Sequence, residues 1–328
     1  MEPCRYVDNA AASDGYLFAW SPDGAHIAYR GNRDTLGVFR PGIYIVDTLG
    51  GPQRLVHEFA NFFEDVNWIS WSPDGSLLAL TDVYDILLLD LATGVETGIT
   101  PRNRGISKAA WTRDGQYILY GRSKSNNEPD TLGGLHLLRV SDHADRAFLH
   151  DGIGTTGDAA ISPDGLRLVL TFGRPQFPSS NEPTVFDLYV VNFDGTGYAR
   201  VATLQGTAQH TQWTNDGSRI FFDFTPGECQ PVRSANRATY SMRPDGSDLR
   251  KWPVALGDTR ASDGFPIALS PVSARAVFSG LDSAGTWGVV TVRNLDGSGT
   301  RQLTRVRPWA PNAVRRVRDG LARRDRRR

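Results

Sequence analysis

The chain of 328 residues carries 36 Lys and Arg against 36 Asp and Glu, so its formal net charge is zero. No stretch approaches the roughly 18 consecutive apolar residues that a membrane-spanning helix needs. Cys4 and Cys229 are too few for a disulfide framework, and two unpaired thiols are favoured over a single bridge between them. These bounds predict a soluble protein that does not depend on disulfides.

The N-terminal segment, residues 1–12, is predicted to be an extension that precedes the fold. The opening sequence MEPCRYVDNAAASDG has no basic start followed by an apolar core, so it does not read as a signal peptide. The sequence therefore leaves the compartment unknown.

A ten-residue motif then recurs six times along the chain. Its copies are WSPDGAHIAY from Trp20, WSPDGSLLAL from Trp71, WTRDGQYILY from Trp111, ISPDGLRLVL from Ile161, WTNDGSRIFF from Trp213 and LSPVSARAVF from Leu269. Asp-Gly between two apolar runs predicts a β-hairpin, because Gly readily takes the left-handed backbone angle of a tight turn. The last copy has lost its Asp-Gly.

A second pattern follows each copy: an apolar strand, a polar turn and another strand. Each repeat therefore holds four strands, and the copies recur at intervals of 40 to 56 residues, which indicates propeller blades. We predict an all-β, six-bladed β-propeller with four antiparallel strands per blade over residues 13–306. The predicted blades are residues 13–57, 58–101, 102–150, 151–204, 205–257 and 258–306, and the Arg-rich tail is residues 307–328.

The motif and the ending DGSGTRQLT at residues 296–304 resemble the TolB-type repeat, also described as the WD40-like or PD40 β-propeller repeat. The resemblance extends from Ser13 to Arg305, and five of the six copies keep the Asp-Gly turn. It implies the propeller fold and a family that is often periplasmic or extracellular. The same propeller serves transport-complex proteins, peptidase accessory domains and some polysaccharide lyases, so the resemblance indicates the fold more than the function.

The binding surface is predicted on the face opposite the Asp-Gly turns. In a four-stranded blade the short turns share one face of the ring, and the long, dissimilar connections share the other, where binding tends to reside. The residues that start the inner strands are predicted to line the channel mouth: Leu17, Trp68, Lys108, Asp158, His210 and Pro266. Such a mouth would hold a small polar ligand or a peptide terminus; the alternative is that these residues only hydrate the channel.

His210 is a weak metal candidate, and Gln212 beside it is a further candidate for the channel mouth. The resemblance implies this metal site, because some TolB-related pectate-degrading lyases hold a divalent metal through several His and a Gln. Here the other histidines show no close pairing, and a catalytic metal usually needs at least three converging ligands. The sequence also lacks Gly-x-Ser-x-Gly, His-Glu-x-x-His and a phosphate-binding Gly-rich loop. We therefore predict no catalytic residue, metal or cofactor.

Phe59, Phe62 and Phe63 cluster in one predicted loop of the binding face, and Phe39 lies in another. The cluster either packs its loop onto the neighbouring blades or forms an exposed apolar patch for a protein partner.

The C-terminal stretch from Arg315 to Arg328 holds eight Arg and two Asp, which is typical of a disordered, solvated tail. Contact with nucleic acid or an anionic surface is expected only through this tail, at Arg315, Arg316, Arg323, Arg324 and Arg327.

These observations favour a non-catalytic scaffold that binds a protein or peptide partner through the long-loop face and the channel mouth. The alternative is a channel-centred, metal-dependent polysaccharide lyase or another hydrolase of a TolB-related family.

Overall fold

The computed structural model describes residues 17–33, 39–59, 66–82, 84–100, 106–122, 134–149, 156–175, 184–226, 238–252, 268–281 and 288–304. Within these ranges the chain forms 23 β-strands and no helix. No helix in these ranges is therefore long and apolar enough to cross a membrane. The predicted all-β class is confirmed.

Four of the sheets have four antiparallel strands each, ordered outward in chain order. The first sheet contains β1 (Phe18–Trp20), β2 (His26–Arg33), β3 (Phe39–Asp47) and β4 (Arg54–Glu58). The second contains β5 (Trp68–Trp71), β6 (Leu77–Thr81), β7 (Ile86–Asp90) and β8 (Glu96–Gly98). The third contains β9 (Ile106–Trp111), β10 (Tyr117–Arg122), β11 (Gly134–Arg139) and β12 (Asp145–Leu149). The last contains β20 (Ala268–Leu269), β21 (Arg275–Leu281), β22 (Gly288–Asn294) and β23 (Arg301–Gln302).

A seven-stranded sheet lies between the third and the last in chain order. It contains β13 (Thr156–Ile161), β14 (Arg167–Pro175), β15 (Thr184–Asn192), β16 (Ala199–Trp213), β17 (Ile220–Pro226), β18 (Ala238–Met242) and β19 (Arg250–Lys251). The 15-residue strand β16 pairs with β15 up to Gln205 and with β17 from Gly206 onward. The predicted boundary between the fourth and fifth blades, at residues 204 and 205, therefore falls within this single strand.

The Asp-Gly turns are held by the same hydrogen bonds in each of their copies. In the second copy, Oγ of Ser72 donates to Oδ1 of Asp74 at 2.6 Å and accepts from the amide of Leu77 at 2.9 Å. Gly75 follows with φ at +75°, a left-handed angle that costs a residue with a Cβ roughly 1–2 kcal/mol. The other copies make the same hydroxyl–carboxylate contact: Ser21–Asp23, Thr112–Asp114, Ser162–Asp164 and Thr214–Asp216.

Motif tryptophans join their inner strand to the inner strand of the preceding motif copy. Nε1 of Trp71 donates to the carbonyl oxygen of Ala19 at 3.0 Å, and Nε1 of Trp213 donates to that of Ala160 at 3.1 Å. In each pair the acceptor is the residue just before the first position of the preceding motif copy. At these two copies, the tryptophan that closes the inner strand therefore also fastens it to the inner strand of the preceding copy.

Apolar side chains fill the space between the sheets. One buried cluster combines Ala28 and Ile43 of the first sheet with Leu78 and Leu80 of the second. Another combines Tyr44 of the first sheet with residues of the last sheet, including Val277, Val290 and Val292. The first and last sheets of the chain are thus packed against each other in space.

Candidate functional site

The candidate site lies where the inner strands β5, β9, β13 and the second part of β16 begin. Lys108 of β9 is its centre. Its Nζ lies 3.1 Å from Oδ1 of Asp158, donates to the carbonyl oxygen of Thr211 at 2.7 Å, and lies 4.7 Å from the centroid of the Trp68 ring. Lys108 therefore contacts three other inner strands at once.

Asp158 is buried, with 8% of its surface exposed, and its carboxylate is well supplied with donors. Oδ2 accepts from the amide of Thr211 at 2.6 Å and from the hydroxyl of the same residue at 3.0 Å, while Oδ1 faces Lys108. A buried charge is tolerated when it is paired and hydrogen-bonded in this way. The cluster of Trp68, Lys108, Asp158 and Thr211, which we call the inner-strand cluster, is thus a fixed polar and aromatic surface.

His210 occupies a bulge in β16. The pairing register with β17 shifts between Gln209 and Gln212, and His210 has φ at +57°, an uncommon angle for a residue with a Cβ. Its Nδ1 lies 3.2 Å from Oδ2 of buried Asp223, and 27% of its side chain is exposed. The bulge turns the imidazole toward Asp223 and presents the next residue, Thr211, to Asp158.

The side chain of Gln212 contacts the last sheet. Its Oε1 accepts a hydrogen bond from the amide of Leu269 in β20 at 2.8 Å. Gln212 therefore ties β16 to the last sheet.

The structure brings three of the predicted mouth residues into one cluster: Trp68, Lys108 and Asp158. Leu17 is buried in the core between the first two sheets, and Pro266 lies outside the described residues. Sequence reasoning missed Thr211 and Asp223. Thr211 lies between the two candidates His210 and Gln212, but the bulge that sets the direction of each side chain has no local sequence signal.

Phe59 lies in the core rather than on a loop surface. It is 6% exposed, packs between the first two sheets, and stands with its ring centroid 5.3 Å from the guanidinium carbon of Arg30. Of the two interpretations that the sequence left open, burial favours local packing for this residue. Phe62 and Phe63 lie outside the described residues, and of Phe39, at the start of β3, only the backbone is described.

In the described part of the chain, no three His, Cys, Asp or Glu side chains converge as metal ligands would. His57 is 5% exposed in its side chain and has Nδ1 2.5 Å from Oε1 of Glu96 in the neighbouring sheet. His210 faces Asp223, as described above. Cys4, Cys229 and His150 are outside the described ranges.

A further buried titratable group stands in the third sheet, away from the inner-strand cluster. Nδ1 of His136 lies 3.2 Å from both carboxylate oxygens of Asp145, which also accepts from the hydroxyl of Tyr120 at 3.0 Å. Burial alone would raise the pKa of Asp145, but the bonds to His136 and Tyr120 outweigh it and hold that pKa below its ordinary value. Burial and the adjacent carboxylate raise the pKa of Tyr120. This cluster ties β10, β11 and β12 together.

Comparison with known proteins bears on the fold. No family model matches the chain. An uncharacterized protein of Agrobacterium fabrum is 26% identical over 214 residues, which are 62% of this chain and 67% of that protein.

Three solved structures are similar at low sequence identity. TolB from Acinetobacter baumannii matches with a TM-score of 0.62 and 18% identity over 87% of this chain, which spans 65% of that protein's length. A putative TolB from Agrobacterium tumefaciens matches with a TM-score of 0.57 and 21% identity, over 77% of this chain and 84% of that one. An oligogalacturonate lyase in complex with manganese matches with a TM-score of 0.53 and 17% identity, over 89% of this chain and 77% of that one.

These likenesses agree with the antiparallel four-stranded sheets and with the repeated motif. The chain therefore has the fold of the TolB-like β-propellers.

Proposed function

We propose that the protein is a non-catalytic β-propeller that binds a protein or peptide partner at the face where the inner strands begin. On this proposal the sheets are six blades, and the seven-stranded sheet is two blades that share β16. The pairing supports this count, because β16 ends one run of four paired strands and starts the next.

The observation that carries the proposal is the inner-strand cluster. Its lysine and its carboxylate are held by one another and by backbone groups, with Trp68 alongside. Fixed polar groups beside an aromatic ring suit the recognition of a peptide or of a small polar group on a partner, because little ordering is needed on binding. The likeness to the two TolB structures supports the propeller fold on which this proposal rests.

The predicted remainder of this surface is the connection that carries Phe62 and Phe63, together with the connection that ends at Phe39, the first residue of β3. We propose that these connections form the outer part of the partner surface, around the inner-strand cluster. The Arg-rich tail is proposed as a solvated segment that binding does not need.

The test is capture of partners by the immobilised full-length protein, followed by mass spectrometry and by direct binding of the identified partner. Trp68→Leu removes the aromatic surface of the cluster and should weaken binding about tenfold or more. Leu49→Ser changes a side chain that is 74% exposed in the β3–β4 turn, on the opposite face, and should leave binding unchanged. Equal binding by wild type and Trp68→Leu would contradict the proposed surface, as would loss of binding in Leu49→Ser alone.

A metal-dependent lyase is the alternative, and the similarity to the manganese-bound oligogalacturonate lyase is the observation that favours it. Metal analysis of protein purified without chelators separates the two. Stoichiometric manganese or zinc that is lost in His210→Ala, together with cleavage of oligogalacturonate, would favour the lyase.

A further inference from the structure

Position seven of the motif has a structural role between successive motif copies. It is the first residue of the second strand in every copy but the fifth, where Arg219 precedes β17. In the copies described next, it lies near the first motif residue of the copy packed beside it. The guanidinium carbon of Arg167 lies 5.1 Å from the ring centroid of Trp213, and that of Arg275 lies 5.3 Å from the ring centroid of Trp20. At these two junctions an arginine covers the tryptophan.

Two other junctions are closed by apolar packing. Leu77 and Trp111 belong to one buried cluster, and Tyr117 and Ile161 belong to another. At these junctions the side chain at position seven therefore packs against the same apolar cluster as the first residue of the next copy.

The junction between the first and second sheets differs. Position seven is His26, whose side chain is shorter than arginine, and the next tryptophan is Trp71. Both residues line a cavity of about 570 Å³, and Trp71 is partly exposed where Trp20 and Trp213 are each 7% exposed. The cavity occupies the position in which an arginine side chain lies at the equivalent junctions.

The charges around this cavity favour a cation. Asp23 and Asp74 line it, and the pKa of each is lowered, first by the hydroxyl of Ser21 or Ser72 and then by a backbone amide, so both are ionised at neutral pH. Oδ1 of Asp23 accepts hydrogen bonds from the hydroxyl of Ser21 and the amide of Ala25. Within the described part of the chain, no donor reaches Oδ2 of Asp23. Arg54, an exposed residue of β4, also lines the cavity and supplies one opposing positive charge.

We propose that this cavity, bounded by His26, Trp71, Asp23 and Asp74, binds the guanidinium group of an arginine side chain on a partner peptide. The ligand's guanidinium would stack on Trp71, as Arg167 stacks on Trp213, and would donate to the carboxylate of Asp23. A planar guanidinium is suited to both contacts at once, because it stacks on aromatic rings and hydrogen-bonds carboxylates in its own plane. This site is on the Asp-Gly face and is distinct from the inner-strand cluster.

The test is a titration of the full-length protein with N-acetyl-arginine amide, followed by the indole N–H resonances in ¹H–¹⁵N spectra. The neutral control ligand is N-acetyl-citrulline amide, which has nearly the same shape. We expect the Trp71 resonance to shift with the arginine compound and the citrulline compound to bind at least about tenfold more weakly. Trp71→Leu assigns the resonance, and aliphatic residues already occupy its position in the copies that begin at Ile161 and Leu269.

Two arginine substitutions give a matched comparison of variants. His26→Arg would place the protein's own guanidinium over Trp71, as Arg167 and Arg275 do elsewhere, and should abolish binding of the compound while the fold is kept. Tyr117→Arg introduces the same residue at position seven of the third copy, where the next copy begins with Ile161, and should leave binding unchanged.

Three outcomes would overturn the proposal: no binding of N-acetyl-arginine amide, equal binding of the citrulline compound, or undiminished binding by folded His26→Arg. Arg54→Gln provides a further check, because removing the opposing charge should tighten binding. A weaker affinity in that variant would also count against the guanidinium assignment.

Discussion

Nε1 of Trp20 donates a hydrogen bond to the carbonyl oxygen of Ala268, 2.9 Å away and 248 residues along the chain. Trp71 and Trp213 make the same bond to the inner strand of the preceding motif copy. Here it joins the first inner strand of the chain to the last. Packing and this bond, rather than an exchanged strand, connect the two ends of the described chain.

Removing this donor should weaken the junction. We expect Trp20→Phe to lower the free energy of unfolding by about 1–3 kcal/mol, because the partly buried carbonyl oxygen of Ala268 loses its donor. The control is Trp111→Phe, since Nε1 of Trp111 is buried without a partner among the described residues. That change should cost less than Trp20→Phe in guanidinium denaturation; an equal or larger loss would refute the assigned role of the bond.

Gly24 gives a second test of the same junction. It has φ at +68°, and a Cβ built on it would overlap Cγ2 of Val272 in the last sheet's motif. Gly24→Ala should therefore cost roughly 1–2 kcal/mol for the backbone angle and about 1–3 kcal/mol more for the overlap.

The matched control for this substitution is Gly75→Ala. Gly75 has a similar φ of +75°, but the nearest atom to its added Cβ is Cδ of Pro22 at 3.9 Å, so only the backbone cost should appear. Val272→Ala in the Gly24→Ala background should recover part of the loss in thermal or chemical denaturation. Equal losses at the two glycines would show that the overlap does not matter.

The pair of Lys108 and Asp158 should be strongly coupled. The side chains are 12% and 7% exposed, so removing one partner leaves the other charge buried and should cost about 3–5 kcal/mol. Lys108→Met combined with Asp158→Asn should cost much less than the two single losses added together. A double-mutant cycle by chemical denaturation measures this; additive losses would mean that the two residues do not act as a pair.

The pH dependence of stability should reflect the Asp-Gly turns. The pKa values of Asp23, Asp74, Asp114, Asp164 and Asp216 lie below the ordinary 3.8, chiefly because a Ser or Thr hydroxyl donates to each carboxylate. A carboxylate whose pKa is lower in the folded than in the unfolded protein contributes stability, and this stability is fully present above the pKa of the unfolded state. That stability is lost as the pH falls through the lower folded values.

The check is the urea midpoint measured from pH 6 down to about pH 2.5. Wild type should lose stability below about pH 4, and a variant with Asn at all five positions should show a flatter profile, because Asn does not titrate. A variant profile as steep as that of wild type would place the acid sensitivity elsewhere.

Local chemistry made much of the fold predictable. The Ser or Thr, Asp and Gly of each turn interact within six residues, so the hairpin is encoded in the motif itself. The all-β class and the strand order within sheets follow from repeating that unit.

The candidate site was less predictable because its contacts are distant in sequence. Lys108 reaches Thr211 across 103 residues, and no local pattern specifies that approach. The direction of the His210 side chain depends on a β-bulge in which His210 itself has a left-handed backbone angle. The regular alternation of side chains between the two faces of a strand does not predict such a bulge. The sequence around Phe59 predicts a loop, but the side chain of Phe59 is buried where the first two sheets pack together.

The unbroken course of β16 has a mechanical consequence. At the other changes of sheet along the described chain, one strand ends a sheet and a separate strand begins the next, so no ladder of backbone hydrogen bonds crosses there. Through β16 a single ladder of amide bonds runs from one set of strands into the next, with Thr211 and His210 on its second half. Those two sets should move as one rigid body, and their amide protons should exchange with solvent in a single concerted opening.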